Sequence, residues 1–142
     1  MSFGQSVWKL VHFMIHADLH HSNVIYAGGD MFYVIDFDDS AISWFVYDLA
    51  VIYNMFDIIN RQNPGKNNLM EDWQKFRSFY SEIYQLPEFW WNQLDRFNAF
   101  RYFHLITFMA RSGDINEGER NQKRFQEFRN GFLKEFSNLP IV

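Results

Sequence analysis

The chain has 142 residues, a net charge of −4 and no cysteine. That length suits one domain with a sizeable core, and the acidic balance argues against a broad phosphate-binding face for nucleic acid. Lack of cysteine removes disulfides, thiolate metal sites and cysteine nucleophiles, while 17 Phe among 20% aromatic residues predict an aromatic core.

The opening MSFGQSVWKLVHFMIH has neither the basic end nor the small-residue cleavage site of a signal peptide. The most apolar stretch, Ala41 to Phe56, is broken by Asp48 and Asn54 and is shorter than a membrane span. The expectation is a cytoplasmic protein, 1–142 as a single domain, with neither membrane nor nucleic acid as partner.

Val24–Tyr26 and Met31–Ile35 are short β-branched and aromatic runs separated by Ala27-Gly28-Gly29-Asp30. Gly-Gly-Asp suits the positive φ angles of a tight turn, so the segment predicts a β-hairpin. After Asp39 the period is helical to the end. A first helix over about 47–60 places Leu49, Ile52, Tyr53, Phe56 and Ile59 on one face, and RQNPGKNN breaks it. A second, about 69–84, carries Trp73, Phe76, Tyr80 and Ile83. Pro87 suits the first turn of a long third helix to about Arg111, with Trp90, Leu94, Phe97, Phe100, Phe103 and Ile106 as its stripe. Ser112-Gly113-Asp114 stops it, and a last helix of about 117–136 buries Phe125, Phe128, Phe132 and Phe136. The aromatic stripes are core, since a 3.6-residue period needs no cofactor to explain it.

The densest polar stretch lies around the hairpin, in HADLHHSNVIYAGGDMFYVIDFDD over residues 16–39. Asn23 precedes the first strand and Asp36 follows the second, so a tight antiparallel turn returns them to one rim. Asp18 sits in the loop leading in. Three oxygen-bearing side chains therefore converge where strands end and loops begin. An amide and a carboxylate are hard ligands suited to Mg²⁺, and a further carboxylate can orient a hydroxyl and take its proton. That division of labour serves phosphoryl transfer from ATP. The alternatives are plain turn residues, or a transition-metal hydrolase site built on His16, Asp18 and His20. The latter has no further histidine downstream except His104, expected in the helical core.

His16-Ala17-Asp18-Leu19-His20-His21-Ser22-Asn23 resembles the H-x-D-x-x-x-x-N catalytic loop of kinases, and Ile35-Asp36-Phe37-Asp38-Asp39 stands where protein kinases carry D-F-G. With Tyr47-Asp48-Leu49-Ala50 the set is similar to the aminoglycoside phosphotransferase family, which includes choline- and homoserine-kinase-like enzymes. The resemblance implies an α+β, mostly α fold: the C-terminal lobe of the protein-kinase-like fold, a hairpin packed on a helical bundle. It implies Asp18 as catalytic base, Asn23 and Asp36 on Mg²⁺, ATP as co-substrate and a small-molecule hydroxyl as acceptor. His16 would support the loop. Asp48 would cap a helix and brace the loop from below. Asp38 and Asp39 are candidates to face substrate, with a solvated loop end as the equal alternative; His20 reads first as a loop residue, with a substrate-facing role as the lesser alternative.

The same resemblance implies an N-terminal lobe with a phosphate-positioning lysine. Only 15 residues precede His16, and Lys9 sits in too short a segment to replace it. The expectation is a truncated or partial kinase, or a non-catalytic binding remnant of one. An apolar face would then be covered by the missing lobe or by self-association.

Overall fold

The computed structural model describes residues 13–65, 68–113 and 118–138. Lys9 lies outside them. The fold is mostly helical with two small antiparallel sheets, divided into one compact unit ending at Leu86 and another starting at Pro87.

In the first unit β1 (Phe13–Ile15) pairs with β4 (Ala41–Ser43), Met14 opposite Ile42. Strands β2 (Val24–Gly28) and β3 (Met31–Val34) form the predicted hairpin, with Val24 opposite Val34. Gly28 and Gly29 take φ of 94° and 60°, which a side chain would strain. The β1–β4 sheet corrects the expectation of helix directly after Asp39. Its two strands are three residues each and lie far apart in sequence, so no local period could reveal the pairing.

Helix α1 (Val46–Gln62) buries Val46, Tyr47, Leu49, Ala50 and Val51. Its buried Asp57 is paired with Arg61 at 2.6 Å, as a buried carboxylate requires. Asn68 starts α2 (Leu69–Ile83) by accepting the Glu71 N–H on its side-chain oxygen. Trp73 links the two helices, edge-on to Tyr53 at 5.0 Å and stacked on Phe76 at 5.2 Å. Ile83, placed on the α2 stripe by sequence, is instead 91% exposed.

In the second unit the predicted single helix is two, α3 (Glu88–Trp91) and α4 (Leu94–Ser112). The chain tightens between them: the Asn92 N–H reaches back to Glu88 and Trp90, and the Gln93 N–H to Trp90. That break rephases the buried face. Leu94, Asn98, Ala99, Tyr102 and Met109 are buried, whereas Phe100 is 55% exposed and His104 only half-buried.

Helix α5 (Glu119–Asn138) explains the new phase. Gly131 on α5 lies so close to the Tyr102 ring that an added Cβ would stand 2.5 Å from it. Tyr102 therefore occupies the space a side chain would have filled, next to buried Phe128. Phe125 and Phe132 are half-buried, and Phe136 is exposed, contrary to the predicted stripe. No helix among the described residues is long and apolar enough to cross a membrane.

Candidate active site

After β1 the backbone turns sharply. Ala17 has φ of 64°, a left-handed conformation that costs a residue with a Cβ about 1–2 kcal/mol. Asp48, in the first turn of α1, holds it there. One carboxylate oxygen accepts the His16 N–H at 3.0 Å and the other the Ala17 N–H at 2.8 Å. The residue capping α1 is Phe45, which makes no side-chain capping bond. Asp48 thus does not cap its own helix; both of its oxygens serve the loop.

His16 ties that loop to the hairpin's exit. Its Nε2–H donates to the Ile35 carbonyl at 2.8 Å, and Nδ1 accepts the Asp18 N–H at 3.3 Å. The neutral ring protonated at Nε2 satisfies both contacts at once. With both nitrogens engaged, His16 cannot also ligate an ion, and the hydrolase reading loses its first ligand. Among the described residues no three His, Asp or Glu side chains are gathered to hold a metal.

Asn23 closes the other side. It ends a short 3₁₀ turn (His21–Asn23) and is buried. Its carbonyl accepts the Ile35 N–H at 3.0 Å, one step beyond the Val24–Val34 pair. Its Nδ2 donates to the Asp18 carbonyl at 3.0 Å and to Asp18 Oδ2 at 3.4 Å. Asp18 and Asn23 are therefore in direct contact, and Asp36 follows the residue bonded to Asn23. Asp36 is exposed and takes φ of 63°, a second strained position beside the first. Its carboxylate has no hydrogen bond or ion pair among the described residues. With Nδ2 of Asn23 committed to Asp18, the amide oxygen is the atom an ion would meet.

Asp38 and Asp39 lie in an exposed turn closed by the Ser40 N–H on the Phe37 carbonyl at 3.0 Å. No contact among the described residues joins them to Asp18. His20 is drawn inward, its Nε2 3.3 Å from Asp18 Oδ2. One anchor escaped the sequence reading: the His21 N–H and Nδ1 lie 3.3 and 3.1 Å from the sulfur of Met55 on α1. Nothing in the local pattern marks that methionine, because the contact spans the fold.

Residues 9–95 match the phosphotransferase enzyme family, APH, over more than half of the chain. The chain belongs to this family. The match takes in the braced loop, the hairpin, α1 and α2, so family membership and the Asp48–His16–Asn23 framework concern the same segment. Amicoumacin kinase of Bacillus subtilis (strain 168) is 28% identical over 132 residues, 91% of this chain and 38% of that relative. The chain thus spans well under half the length of the curated phosphotransferase it matches. No solved structure matches it.

Proposed function

We propose that the chain carries the catalytic face of an ATP-dependent kinase acting on a hydroxyl of a small molecule, arranged as the C-terminal lobe of the kinase-like fold. The carrying observation is the bond from the Ile35 N–H to the Asn23 carbonyl, which sets Asp18, Asn23 and Asp36 around one hairpin end. Asp18 is the proposed base. As the acceptor oxygen bonds to the γ-phosphorus and the bond to the ADP oxygen breaks, the hydroxyl proton passes to Asp18. Asn23 and Asp36 are the proposed Mg²⁺ ligands. An amide oxygen and an otherwise uncommitted carboxylate suit a hard cation that keeps several waters and takes the rest of its shell from phosphate. When bound, that ion neutralises charge on the transferring phosphoryl group.

His16 and Asp48 position the loop and touch no reactant in this reading. Asp38 and Asp39, exposed acids just beyond Asp36 in the chain, suit a cationic amine on the acceptor. Amicoumacin belongs in an acceptor panel because the matched relative is named for it. A cytoplasmic setting, where ATP is abundant, goes with this reading.

The test is a titration of the full chain with Mn²⁺ and ATP, followed by paramagnetic broadening of backbone signals. Broadening centred on Asn23 and Asp36 is expected. Asp36→Ala and Asn23→Ala should each weaken Mn²⁺ binding by on the order of tenfold or more. Broadening elsewhere, or unaltered affinity in both variants, rejects the pair as ligands.

The hairpin surface supports a covering partner, either a further lobe or a second copy. Tyr26 and Phe32, paired across the strands with ring centroids 5.1 Å apart, are 62% and 63% exposed. Val34 is exposed on the same side of the hairpin, and Ile25 and Tyr33 are exposed on its other side. Isolated chains should self-associate through this face. Sedimentation velocity of the wild type should show concentration-dependent dimers that Tyr26→Lys with Phe32→Lys abolishes; a strictly monomeric wild type at high concentration argues against it.

A further inference from the structure

His20 is a plain loop residue by position, yet both of its ring nitrogens are engaged. It caps the 3₁₀ turn, with Nδ1 accepting the Ser22 N–H at 3.2 Å. Because that nitrogen is an acceptor, the proton of the neutral ring sits on Nε2. Nε2 lies 3.3 Å from Asp18 Oδ2, the oxygen that also takes the Nδ2–H of Asn23. The ring is thus a rigid bridge. One end is held by backbone and the other donates to a carboxylate whose side chain is still about a quarter exposed, at 23%.

We propose that His20 is a positioning residue for Asp18, its Nε2–H fixing the plane of the carboxylate while the Ser22 N–H fixes the ring. The inference rests on the reading of Asp18 as the base that receives the acceptor proton. A carboxylate at the end of two rotatable bonds, accessible to water, otherwise samples orientations in which neither oxygen meets the hydroxyl. Two donors converging on Oδ2 restrict that rotation before substrate arrives, and preorganisation of this kind acts on the chemical step rather than on nucleotide affinity. The alternative that His20 itself receives the substrate's proton fails on geometry, since neither nitrogen has a lone pair to spare. Asn23 serves both purposes, through its amide nitrogen on Asp18 and its amide oxygen toward the cation, whereas His20 serves Asp18 alone.

Two substitutions separate bridging from capping. Asparagine at position 20 retains a short side-chain oxygen for the Ser22 N–H, but its amide nitrogen does not extend to Asp18. Glutamine places an N–H about where Nε2 stands and is a poor cap. The first readout needs no substrate: the ¹³C shift of the Asp18 carboxyl in the full chain. It should move in His20→Ala and His20→Asn and return toward the wild-type position in His20→Gln.

The second readout is single-turnover phosphoryl transfer from Mg²⁺-ATP. The rate constant should fall about tenfold in His20→Ala and His20→Asn, recover to within about threefold in His20→Gln, and leave the KM for ATP unchanged in all three. Rescue by asparagine but not glutamine in either readout means the residue only caps the turn and overturns the proposal. An Asp18 shift indifferent to all three variants overturns it equally. Failure of the kinase reading would look different: no transfer by any chain, wild type included, with the carboxyl shifts still reporting whether the bridge exists.

Discussion

Asp18→Ala should slow phosphoryl transfer by about 10²–10⁴, the usual worth of a positioned general base. The expectation is specific because of where the side chain sits. Asp18 is held by Asn23 through backbone carbonyl and carboxylate alike, and by His20 through the same carboxylate oxygen. Removing the carboxylate leaves the loop's own supports in place, since Asp48 anchors the His16 and Ala17 N–H groups and Asp18 meets His16 through its backbone N–H, which the substitution keeps. The Asn23–Ile35 bond closing the hairpin is also untouched. Rate should therefore fall with little change in nucleotide KM or in thermal stability. Asp18→Asn should be nearly as slow, because an amide matches the shape but cannot take the proton. Single-turnover rates with Mg²⁺-ATP and the best acceptor from a panel provide the measurement. An Asp18→Ala chain within twofold of wild type would falsify the assignment of the base.

The second large effect is structural and appears at a residue whose two carboxylate oxygens both hold the loop backbone. Asp48→Ala strips two backbone N–H groups, on the buried residues His16 and Ala17, of their acceptors. Each buried donor left unpaired costs about 1–3 kcal/mol. The left-handed turn at Ala17 loses its brace from Asp48 as well. A loss of about 3 kcal/mol or more is expected, a large part of the roughly 5–15 kcal/mol that holds an ordinary domain together. Amide hydrogen exchange localises it: the His16 and Ala17 amides should exchange roughly a hundredfold faster, at about 1.4 kcal/mol per tenfold. Asp95→Ala, at an exposed acid in the first turn of α4, is the control and should leave both amides unchanged. Asp48→Asn should resemble the alanine variant, because its amide nitrogen presents a donor to one of the two N–H groups. Unchanged protection in Asp48→Ala would mean that other contacts hold the turn.

These two expectations divide the site into a part that acts and a part that holds it, and the sequence disclosed them unequally. The meeting of the Asn23 flank with the segment entering Asp36 was legible because the glycine turn between Val24 and Val34 dictates a hairpin, and a hairpin brings its two flanks together whatever the rest of the chain does. Helices α1 and α2 were legible for a similar reason, their apolar residues recurring at helical spacing next to Asn68 and the Pro64-Gly65 break. Such signals are local, and local sequence determines them.

Contacts between distant segments were decided only by the tertiary structure. The β1–β4 pairing, the Met55 sulfur beneath His21 and the ring of His20 turned onto Asp18 depend on which segments meet, and no period of two or 3.6 residues encodes that. The second unit shows the same limit in its packing. Periodicity alone favoured Phe100 and Phe103, but the close approach at Gly131 admits the ring of Tyr102 and rephases the helix around it. A helix presents several apolar faces to choose from, and the shape of its neighbour makes the choice.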